Sequence, residues 1–334
     1  MEVPALKMPN PDPLPTSALA ARKLADGVGA TILLRARNLE RTLGIRRLHL
    51  KFEGGNPTGT QKDRVAAAQV AEALERGYST VTVGTCGNYG AALAYSASLA
   101  ALRAVLFIPE TYQARRSAEI ESFGSEVVRV DGDYETAVAR SREAARASGF
   151  YDANPGGPSE ELCQKAYAGI ALEIAESLGD APLTVAVPVS NGTTLAGIFE
   201  GFRALYEAGK TTRIPRMIAA SSYEKNPVVK SFQMGSRICF DLKPDKLRET
   251  WVNEPLINWH SFDGQSALNA VYASRGSAEF VSDRHMVELA RDLLEREGLS
   301  ALPASVSALR ALMKLHARGA LPEEDHVVVL TGRR

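Results

Sequence analysis

Residues 51–64 read Lys51-Phe-Glu-Gly-Gly-Asn-Pro-Thr-Gly-Thr-Gln-Lys62-Asp-Arg64. A predicted strand, Leu48–Phe52, ends inside this stretch, a loop punctuated by glycine and proline follows, and a helix is predicted to begin near Asp63. Lys62 therefore lies at a junction between a strand and a helix rather than on a solvated helix face. A phosphate-binding loop of the GxxxxGK[ST] type is excluded, because Lys62 is preceded by Gln61 and followed by Asp63.

The chain around this stretch repeats the order strand, loop and helix. Short apolar runs alternate with Ala/Leu-rich stretches of helical spacing, which is typical of βαβ units, and continuous apolar strands favour parallel sheets covered on both faces. The predicted strands are Leu48–Phe52, Thr80–Gly84, Ala104–Ile108, Glu126–Val130, Thr184–Val189, Met217–Ala220 and His326–Leu330. The predicted helices lie near 63–76, 88–101, 113–122, 134–147, 160–178, 194–208, 284–297 and 304–317. The segment 223–270 breaks the pattern and is predicted to be irregular, with one helix near 264–273.

Composition limits the classes of protein to which the chain can belong. Its 334 residues, 45% of them hydrophobic, are enough for two compact α/β domains. Lys plus Arg and Asp plus Glu both total 39, so no net charge would gather nucleic acid or an anionic membrane. We therefore expect neither nucleic acid nor a membrane as a partner.

The cysteines and the N-terminus predict a cytoplasmic protein without a metal. Cys86, Cys163 and Cys239 form no CxxC pair and no Cys/His ligand pattern, which disfavours a disulfide framework and a structural zinc. The N-terminal MEVPALKMPNPDPLP has prolines and charges where a signal peptide needs an apolar core. No later run approaches the ~18 apolar residues of a membrane span.

Three further segments carry candidate binding groups. Thr85-Cys-Gly-Asn-Tyr-Gly90 and Pro188-Val-Ser-Asn-Gly-Thr-Thr194 each follow a strand and precede a helix. Glycine-bearing turns at a helix start present several backbone N–H groups together, which suits a carboxylate or phosphate. Two such turns indicate one ligand with two anionic groups, or two ligands. The last strand brings the Thr331 hydroxyl to the carboxyl edge of a sheet, where open α/β sheets bind ligands.

Together these segments resemble fold-type-II enzymes that depend on pyridoxal phosphate (PLP), most closely the threonine synthase branch. The family motif reads K-x-E-x-x-N-P-T-G-S-x-K-D-R. Its residues are here Lys51, Glu53, Asn56, Pro57, Thr58, Gly59, Thr60, Lys62, Asp63 and Arg64, with Thr in place of Ser at 60. The resemblance begins near Leu33 and ends at Thr331-Gly332, so it spans nearly the whole chain.

The resemblance implies the fold and the domain organisation. The expected fold class is α/β of the tryptophan synthase β-like type, with two open parallel-sheet domains and the active site between them. Residues 1–52 and 151–334 are expected to form the larger domain, which binds the PLP phosphate. Residues 53–150 are expected to form the smaller domain, which carries the Lys62 loop and a loop for the substrate carboxylate. A homodimer is expected as well.

The same resemblance implies a role for each candidate site residue. Lys62 would hold PLP as a Schiff base and move the α-proton of the substrate. Asn88 would hydrogen-bond the phenolic oxygen of the cofactor. The substrate carboxylate would be held by Thr85, Cys86, Gly87, Asn88 and Tyr89. The PLP phosphate would be held by Ser190, Asn191, Gly192, Thr193 and Thr194, of which the two threonines replace the glycine and asparagine usual in the family.

Thr331 would face the pyridine nitrogen of the cofactor. A neutral hydroxyl does not keep that nitrogen protonated, so the ring is a weaker electron sink than one paired with a carboxylate. Elimination and replacement at Cβ or Cγ are therefore favoured over transamination. The expected activity is that of a PLP-dependent lyase or transferase acting on a small amino acid with a β- or γ-leaving group.

Two departures from the threonine synthase pattern put its usual substrate in question. Relatives commonly carry an arginine shortly after an Asn-Pro pair, where it helps to hold the substrate phosphate; after Asn154-Pro155 that arginine is absent. Leu302 stands where relatives have Glu before Pro-Ala-Ser. Lys165, Arg115 or Arg116 are possible spatial substitutes.

Other activities remain open at the level of sequence. Serine or threonine dehydration, or β-replacement in a specialised amino-acid pathway, is the first alternative. A non-catalytic α/β binding protein is a distant one, since the lysine motif is complete. A nicotinamide-dependent oxidoreductase is disfavoured, because no GxGxxG follows the first strand.

Overall fold

Two open β-sheets organise the chain. The computed structural model describes residue 24 and residues 26–85, 87–110, 116–319 and 321–334, without the side chain of Lys246. In these ranges the strands are β1 (Leu33–Arg35), β2 (Leu48–Phe52), β3 (Thr80–Gly84), β4 (Arg103–Pro109), β5 (Glu126–Val130), β6 (Tyr151–Asp152), β7 (Thr184–Pro188), β8 (Arg216–Ser222), β9 (Ser277–Val281) and β10 (His326–Leu330).

The helices alternate with these strands along most of the chain. They are α1 (Arg37–Leu43), α2 (Lys62–Glu75), α3 (Asn88–Leu99), α4 (Ser117–Ser122), α5 (Tyr134–Ser148), α6 (Glu160–Leu178), α7 (Thr193–Glu207), α8 (Pro227–Gln233), α9 (Gly264–Ala273), α10 (Asp283–Glu297) and α11 (Ser307–Arg318). Short 3-10 helices lie at Glu53–Gly55, Gly157–Ser159, Pro244–Lys246 and Pro303–Val306. Across the described residues, no helix has both the length and the apolarity needed to cross a membrane.

The larger sheet has six strands in the order β1-β2-β10-β7-β8-β9. β1 pairs with β2 antiparallel at one edge, and the other neighbours are parallel. Both faces of the sheet are covered: Val327 and Val329 pack into the core on one side, and Val328 and Leu330 into the core on the other. The continuous apolar strands therefore do form a parallel sheet buried on both faces, as the sequence predicts.

The smaller sheet has four parallel strands in the order β5-β4-β3-β6. The alanine-rich helices α2 and α3 pack on one face, and α5 packs on the other. The close approach of α5 requires Gly84 at the end of β3, because a Cβ there would lie 2.3 Å from the backbone N of Val138. The strand Tyr151–Asp152 joins this sheet just beyond residue 150, the predicted end of the smaller domain.

Three strands and two helices were not predicted from the sequence. β1 and β6 span three and two residues, too few for a pattern to be visible. β9 reads Ser-Ala-Glu-Phe-Val, and its Glu279 is buried through an ion pair with Arg318, so the strand lacks a continuous apolar run. The helices α1 and α8 are seven residues each, about two turns.

The remaining boundaries follow the prediction with local differences. The helix expected at 264–273 is confirmed as α9. The helix expected at 304–317 begins as a 3-10 turn at Pro303–Val306 and becomes α-helical at Ser307. The helix expected at 113–122 begins at Ser117, since Arg116 is its non-helical N-cap, and residues 111–115 lie outside the described ranges.

Candidate active site

Lys62 lies where the loop before α2 meets the end of the larger sheet. It is the first residue of α2. The backbone N–H of Gln61 donates to the carbonyl oxygen of Thr331 at 2.9 Å, and Thr60 forms an antiparallel bridge with Gly332. Because β10 delivers Thr331 to the carboxyl edge of the sheet, these contacts bring the lysine and the threonine hydroxyl to the same place.

A buried ionic network supports the Lys62 loop from behind. Arg64 donates to the carboxylate of Glu53 at 2.6 and 2.9 Å, and to that of Glu173 at 2.7 and 2.9 Å. Lys51, which is fully buried, also pairs with Glu173. The hydrogen bonds and positive charges of Arg64 and Lys51 outweigh burial and lower the pKa of Glu173 to about 2. Lys51, Glu53 and Arg64 of the sequence motif thus fix the loop.

The loop after β3 is organised by the hydroxyl of Thr85. Its Oγ1 accepts the backbone N–H groups of Gly87 at 3.2 Å and Gly90 at 3.0 Å, while the N–H of Thr85 donates to the carbonyl of Phe107 at 2.9 Å. The N–H groups of Thr85 and Gly87 are therefore already engaged within the protein. The first turn of α3 still offers the N–H groups of Asn88 and Tyr89, which have no intrahelical acceptor. Cys86, also predicted to contact substrate, lies outside the described residues.

The side-chain amide of Asn88 is oriented by an arginine. Arg116 Nη1 donates to Asn88 Oδ1 at 3.0 Å, and Arg116 Nη2 donates to the carbonyl of Thr58 at 2.6 Å. The guanidinium is itself held by Glu119 at 2.8 Å. Because the amide oxygen is engaged by a cation, the Nδ2 group of Asn88 is the part of the amide that can donate to a ligand.

The turn at residues 190–194 leads into α7. Gly192 has a φ of 99°, and a Cβ there would lie 2.7 Å from the Cβ of Ala267. In the described part of the chain no side chain caps this helix start. Asn258 Nδ2 holds Asn191 Oδ1 at 2.9 Å, and the hydroxyl of Thr193 donates to the carboxylate of Asp263. Burial raises the pKa of Asp263 to about 6.

The hydroxyl of Thr331 is part of a short chain of hydrogen bonds. Its Oγ1 lies 2.9 Å from Ser305 Oγ, and Ser305 Oγ accepts the backbone N–H of Gly332 at 3.0 Å. Ser305 is fully buried, so the Thr331 hydroxyl is held from behind. Ser305 belongs to the Pro-Ala-Ser segment noted in the sequence.

Two adjoining clefts bring the predicted residues together. The first cleft includes Lys62, Thr85, Gly87–Tyr89, Ser190, Asn191 and Thr193. The second cleft includes Lys62, Asn88, Ser190–Thr194 and Thr331. Every described residue of the predicted site therefore lines one cleft or both, and Lys62 lies at their junction.

Among the lining residues of the first cleft that were not predicted from the sequence, four carry a titratable group: Tyr134, Cys163, Tyr167 and Glu254. Cys163 and Tyr167 are four residues apart on α6, so they lie on the same helix face. That spacing was readable in the sequence, but it is equally typical of a helix face in the core. Glu254 comes from the irregular segment, where no periodicity of the sequence indicates which side chains face a cleft.

Lys165 and Arg116, two of the cations considered as substitutes for the missing arginine, line neither cleft. Lys165 pairs with Glu161 at 2.6 Å, with 71% of its side chain exposed. Arg116 lies behind Asn88, and Arg115 is outside the described residues. Among the described residues that line the clefts, Lys62 is the only Lys or Arg. No group of three or more His, Cys, Asp or Glu in the described chain is placed to hold a metal ion.

Comparison with known proteins gives the chemistry of this site. The family described as "Pyridoxal-phosphate dependent enzyme" matches residues 24–332. The chain belongs to this family. The PLP-dependent enzyme is also 32% identical to the threonine synthase of Methanocaldococcus jannaschii over 305 residues, which cover 91% of this chain and 74% of that protein. It is 31% identical to the threonine synthase of Methanosarcina acetivorans over the same shares of the two chains.

Among solved structures, maize serine racemase superposes on this PLP-dependent enzyme with a TM-score of 0.79. The match covers 95% of this chain and 92% of that chain at 19% identity, so it bears on the fold alone. The predicted fold class and the predicted cofactor are both confirmed.

The residues present fit PLP. A phosphate needs a concave group of N–H donors, and the uncapped start of α7 at Gly192, where a Cβ would meet Ala267, is such a cradle. A Schiff base needs a lysine beside that cradle, and Lys62 lines the same cleft. Lys62, the 190–194 turn and Thr331 are the groups that would hold the cofactor.

Proposed function

We propose that this enzyme catalyses elimination or replacement on a small amino acid that carries a leaving group at Cβ or Cγ, as a threonine synthase-like lyase or transferase. The observation that carries the proposal is the position of Lys62 at the junction of the two clefts. The second cleft contains the anion cradle, and the first contains the loop after β3. The names of the two archaeal relatives support the same reaction class.

Lys62 would hold the cofactor and then carry the substrate's α-proton. When bound, PLP supplies the electron sink that weakens the bonds at Cα and allows a substituent further along the side chain to leave. Asn88 Nδ2, whose orientation follows from the contact with Arg116, would donate to the phenolic oxygen. The backbone of Ser190–Thr194 would bind the phosphate.

The loop after β3 would hold the substrate carboxylate. Thr85 Oγ1 already accepts two backbone N–H groups, so its own hydrogen is available for an acceptor in the first cleft. The N–H groups of Asn88 and Tyr89 add two further donors at a helix N-terminus, which favours an anion. The described part of the loop thus has three donors for a carboxylate.

The hydrogen bonds around Thr331 are compatible with a donating hydroxyl. Ser305 Oγ accepts from the N–H of Gly332, and its own hydrogen can go to Thr331 Oγ1 at 2.9 Å or to the carbonyl of Gly332 at 3.4 Å. When Ser305 donates to Thr331, the Thr331 hydrogen would donate to an unprotonated ring nitrogen. A neutral donor at that position favours loss of a leaving group over transamination.

A second candidate function is β-chemistry: serine or threonine dehydration, or a β-replacing synthase. The observation that favours it is the lining of the clefts, in which Lys62 is the only cation among the described residues. Apart from Lys62, the described lining offers the phosphate of a substrate such as O-phosphohomoserine no cationic partner, and each charge-assisted hydrogen bond contributes on the order of 1.5–3 kcal/mol.

We also propose the domain division, the assembly and the location that follow from the sequence. Residues 1–52 with 151–334 would form the phosphate-binding domain and residues 53–150 the smaller one; the two separate sheets support two domains, although Tyr151–Asp152 pairs with the smaller sheet. Free thiols at Cys163 and Cys239 support the reducing cytoplasm. A homodimer is proposed from the resemblance to the family.

The test is reduction of the purified enzyme with borohydride, followed by peptide mapping. We expect the visible band to disappear and the label to lie on Lys62. Lys62→Ala should abolish labelling, whereas Lys165→Ala, which changes an exposed lysine, should keep it. A panel of O-phospho-, O-acetyl- and hydroxy-amino acids then identifies the substrate. A label on another lysine, or transamination as the main reaction, would contradict the proposal.

A further inference from the structure

The carboxylate of Asp263 is buried behind the turn at residues 190–194. Asp263 is the N-cap residue of α9, a position at which an aspartate usually accepts from backbone N–H groups of the first turn. Here the side chain makes no such bond and instead accepts the hydroxyl of Thr193 at the start of α7. Only 2% of Asp263 is exposed. Helix capping therefore does not explain this carboxylate.

One oxygen of the Asp263 carboxylate lacks a donor. Within the described residues Oδ2 is engaged by Thr193, while Oδ1 is buried and has no hydrogen-bond partner. An ionised carboxylate in this position is unfavourable, because both oxygens have lost water and only one has gained a donor. The protonated form needs fewer donors, since Oδ2–H can donate to Thr193 Oγ1 and Oδ1 is then a neutral carbonyl oxygen.

The titratable groups around Asp263 come from three helices: Glu160, Cys163 and Tyr167 on α6, Arg142 on α5 and Lys62 at the start of α2. Burial is the main influence and, together with the charge of Glu160, raises the pKa of Asp263 to about 6 against the opposing effects of the Thr193 bond and the two cations. Cys163 and Tyr167 stay neutral, because burial raises the pKa of both. Asp263 can therefore change its protonation near neutral pH.

Thr193 connects Asp263 to the cofactor site. It belongs to the 190–194 turn and lines both clefts. An ionised Asp263 takes the hydrogen of the Thr193 hydroxyl, so the hydroxyl can present only lone pairs to the clefts. Both those lone pairs and the carboxylate charge disfavour a phosphate. A protonated Asp263 donates instead, and the Thr193 hydrogen is then available to a phosphate oxygen.

We propose that Asp263 is a positioning residue for the cofactor phosphate: it takes up a proton when the phosphate binds and donates to Thr193 Oγ1, which turns the Thr193 hydrogen towards the phosphate. One proton passes from solvent to Oδ2 of Asp263, and no other covalent bond forms or breaks. The inference deepens the proposed function and rests on the role of the 190–194 turn as the phosphate site. The contribution of Asp263 to cofactor affinity is greatest below pH 6, where the acid is already protonated, and is lost as the pH rises.

The test uses pyridoxine 5′-phosphate, which has the ring and the phosphate of PLP but no aldehyde, and therefore does not bond covalently to Lys62. Its dissociation constant is measured by calorimetry between pH 5 and pH 8 on the full-length enzyme stripped of cofactor. Asp263→Asn mimics the protonated acid, because its amide can donate to Thr193 Oγ1 at every pH. We expect the ratio of the parent to the variant dissociation constant to be about 1 at pH 5 and about tenfold at pH 8, for a rise of about one unit in the pKa of Asp263 on binding. Titration of the phosphate itself cancels in this ratio.

Two further variants and one measurement on the parent separate positioning from structure. Glu135→Gln is the matched control: burial raises the pKa of Glu135 too, but its carboxylate accepts from the backbone N–H of Trp259, so its ratio should not change with pH. In a Thr193→Val background, Asp263→Asn should tighten binding at pH 8 by no more than about threefold, because the hydroxyl that links the two groups is absent. The parent should take up protons on binding at pH 7, as measured in two buffers of different ionisation enthalpy.

The other outcomes would overturn the inference. A ratio for Asp263→Asn that does not change with pH, or weaker binding by this variant throughout, would indicate a structural role. A gain of undiminished size in the Thr193→Val background would exclude Thr193 as the link. Absence of proton uptake by the parent would exclude protonation of Asp263, whether or not the variants fold. Failure of the proposed function is distinguishable, because Gly192→Ala would then bind the probe as tightly as the parent does.

Discussion

Glu173→Gln should destabilise the enzyme through the network behind the Lys62 loop. The carboxylate of Glu173 accepts from both terminal nitrogens of Arg64 and from Lys51. Glutamine keeps the shape but removes the negative charge, which leaves the fully buried Lys51 with the carbonyl of Thr31, 2.5 Å away, as its described partner. Leaving a buried charge without its counter-ion is strongly unfavourable.

The magnitude follows from the pKa of Glu173. Its pKa falls from an ordinary value of 4.5 to about 2, and one pKa unit corresponds to about 1.4 kcal/mol, so the charged form is favoured by at most about 3 kcal/mol. Since 20% of the side chain is exposed, solvent screening reduces this to about 2 kcal/mol. Because the pKa in the folded state lies below that in the unfolded state, the stabilisation is complete above pH 4.5 and is lost as the pH falls from 4.5 towards 2.

The assay is urea unfolding of the holoenzyme at pH 7, repeated between pH 5 and pH 3. We expect Glu173→Gln to lower the free energy of unfolding by about 2 kcal/mol at pH 7, and the difference from the parent to shrink as the pH falls below 4.5. Glu176→Gln, on the same helix but exposed, should stay within about 0.5 kcal/mol. Equal unfolding midpoints for Glu173→Gln and the parent would refute the reasoning.

Three further predictions concern the clefts. Thr331→Asp should still bind PLP but lose much of its elimination rate and accumulate a long-wavelength absorbing species, because a carboxylate favours the protonated ring nitrogen. Thr331→Ser should resemble the parent. Stopped-flow spectra of the two variants with substrate are the measurement. O-phosphohomoserine should have a lower kcat/KM than at least one unphosphorylated or β-substituted amino acid; a value well above all others in the panel would contradict the lining of the clefts. Gly192→Ala should weaken PLP binding by at least about tenfold, measured by spectral titration, because alanine is strained at a φ of 99° and its Cβ would meet Ala267; unchanged binding would exclude the 190–194 turn as the phosphate site.

The sequence predicted the parts of the fold and site that depend on local order. Parallel strands buried on both faces are typically continuous apolar runs, so β4, β7 and β10 were readable one by one. The turns Thr85–Gly90 and Ser190–Thr194 were readable as candidate anion sites because a glycine turn between a strand and a helix has a local signature, whereas the role of Lys62 came from the resemblance to the family. The edge strands β1 and β6 could not be predicted, because two or three residues are too few to show the pattern of a strand.

The tertiary structure alone decided which distant side chains meet. In the sequence, Glu173 is an ordinary residue of a predicted helix. The fold brings it into contact with Lys51 and Arg64, which precede it by more than a hundred residues. Tyr167 had the spacing of a core residue, and only the packing of α6 against α7 placed it beside the first cleft. The physical reason is that backbone patterns are set by neighbours along the chain. The partners of a buried charge or hydroxyl are instead set by which helix faces and strand ends converge in space.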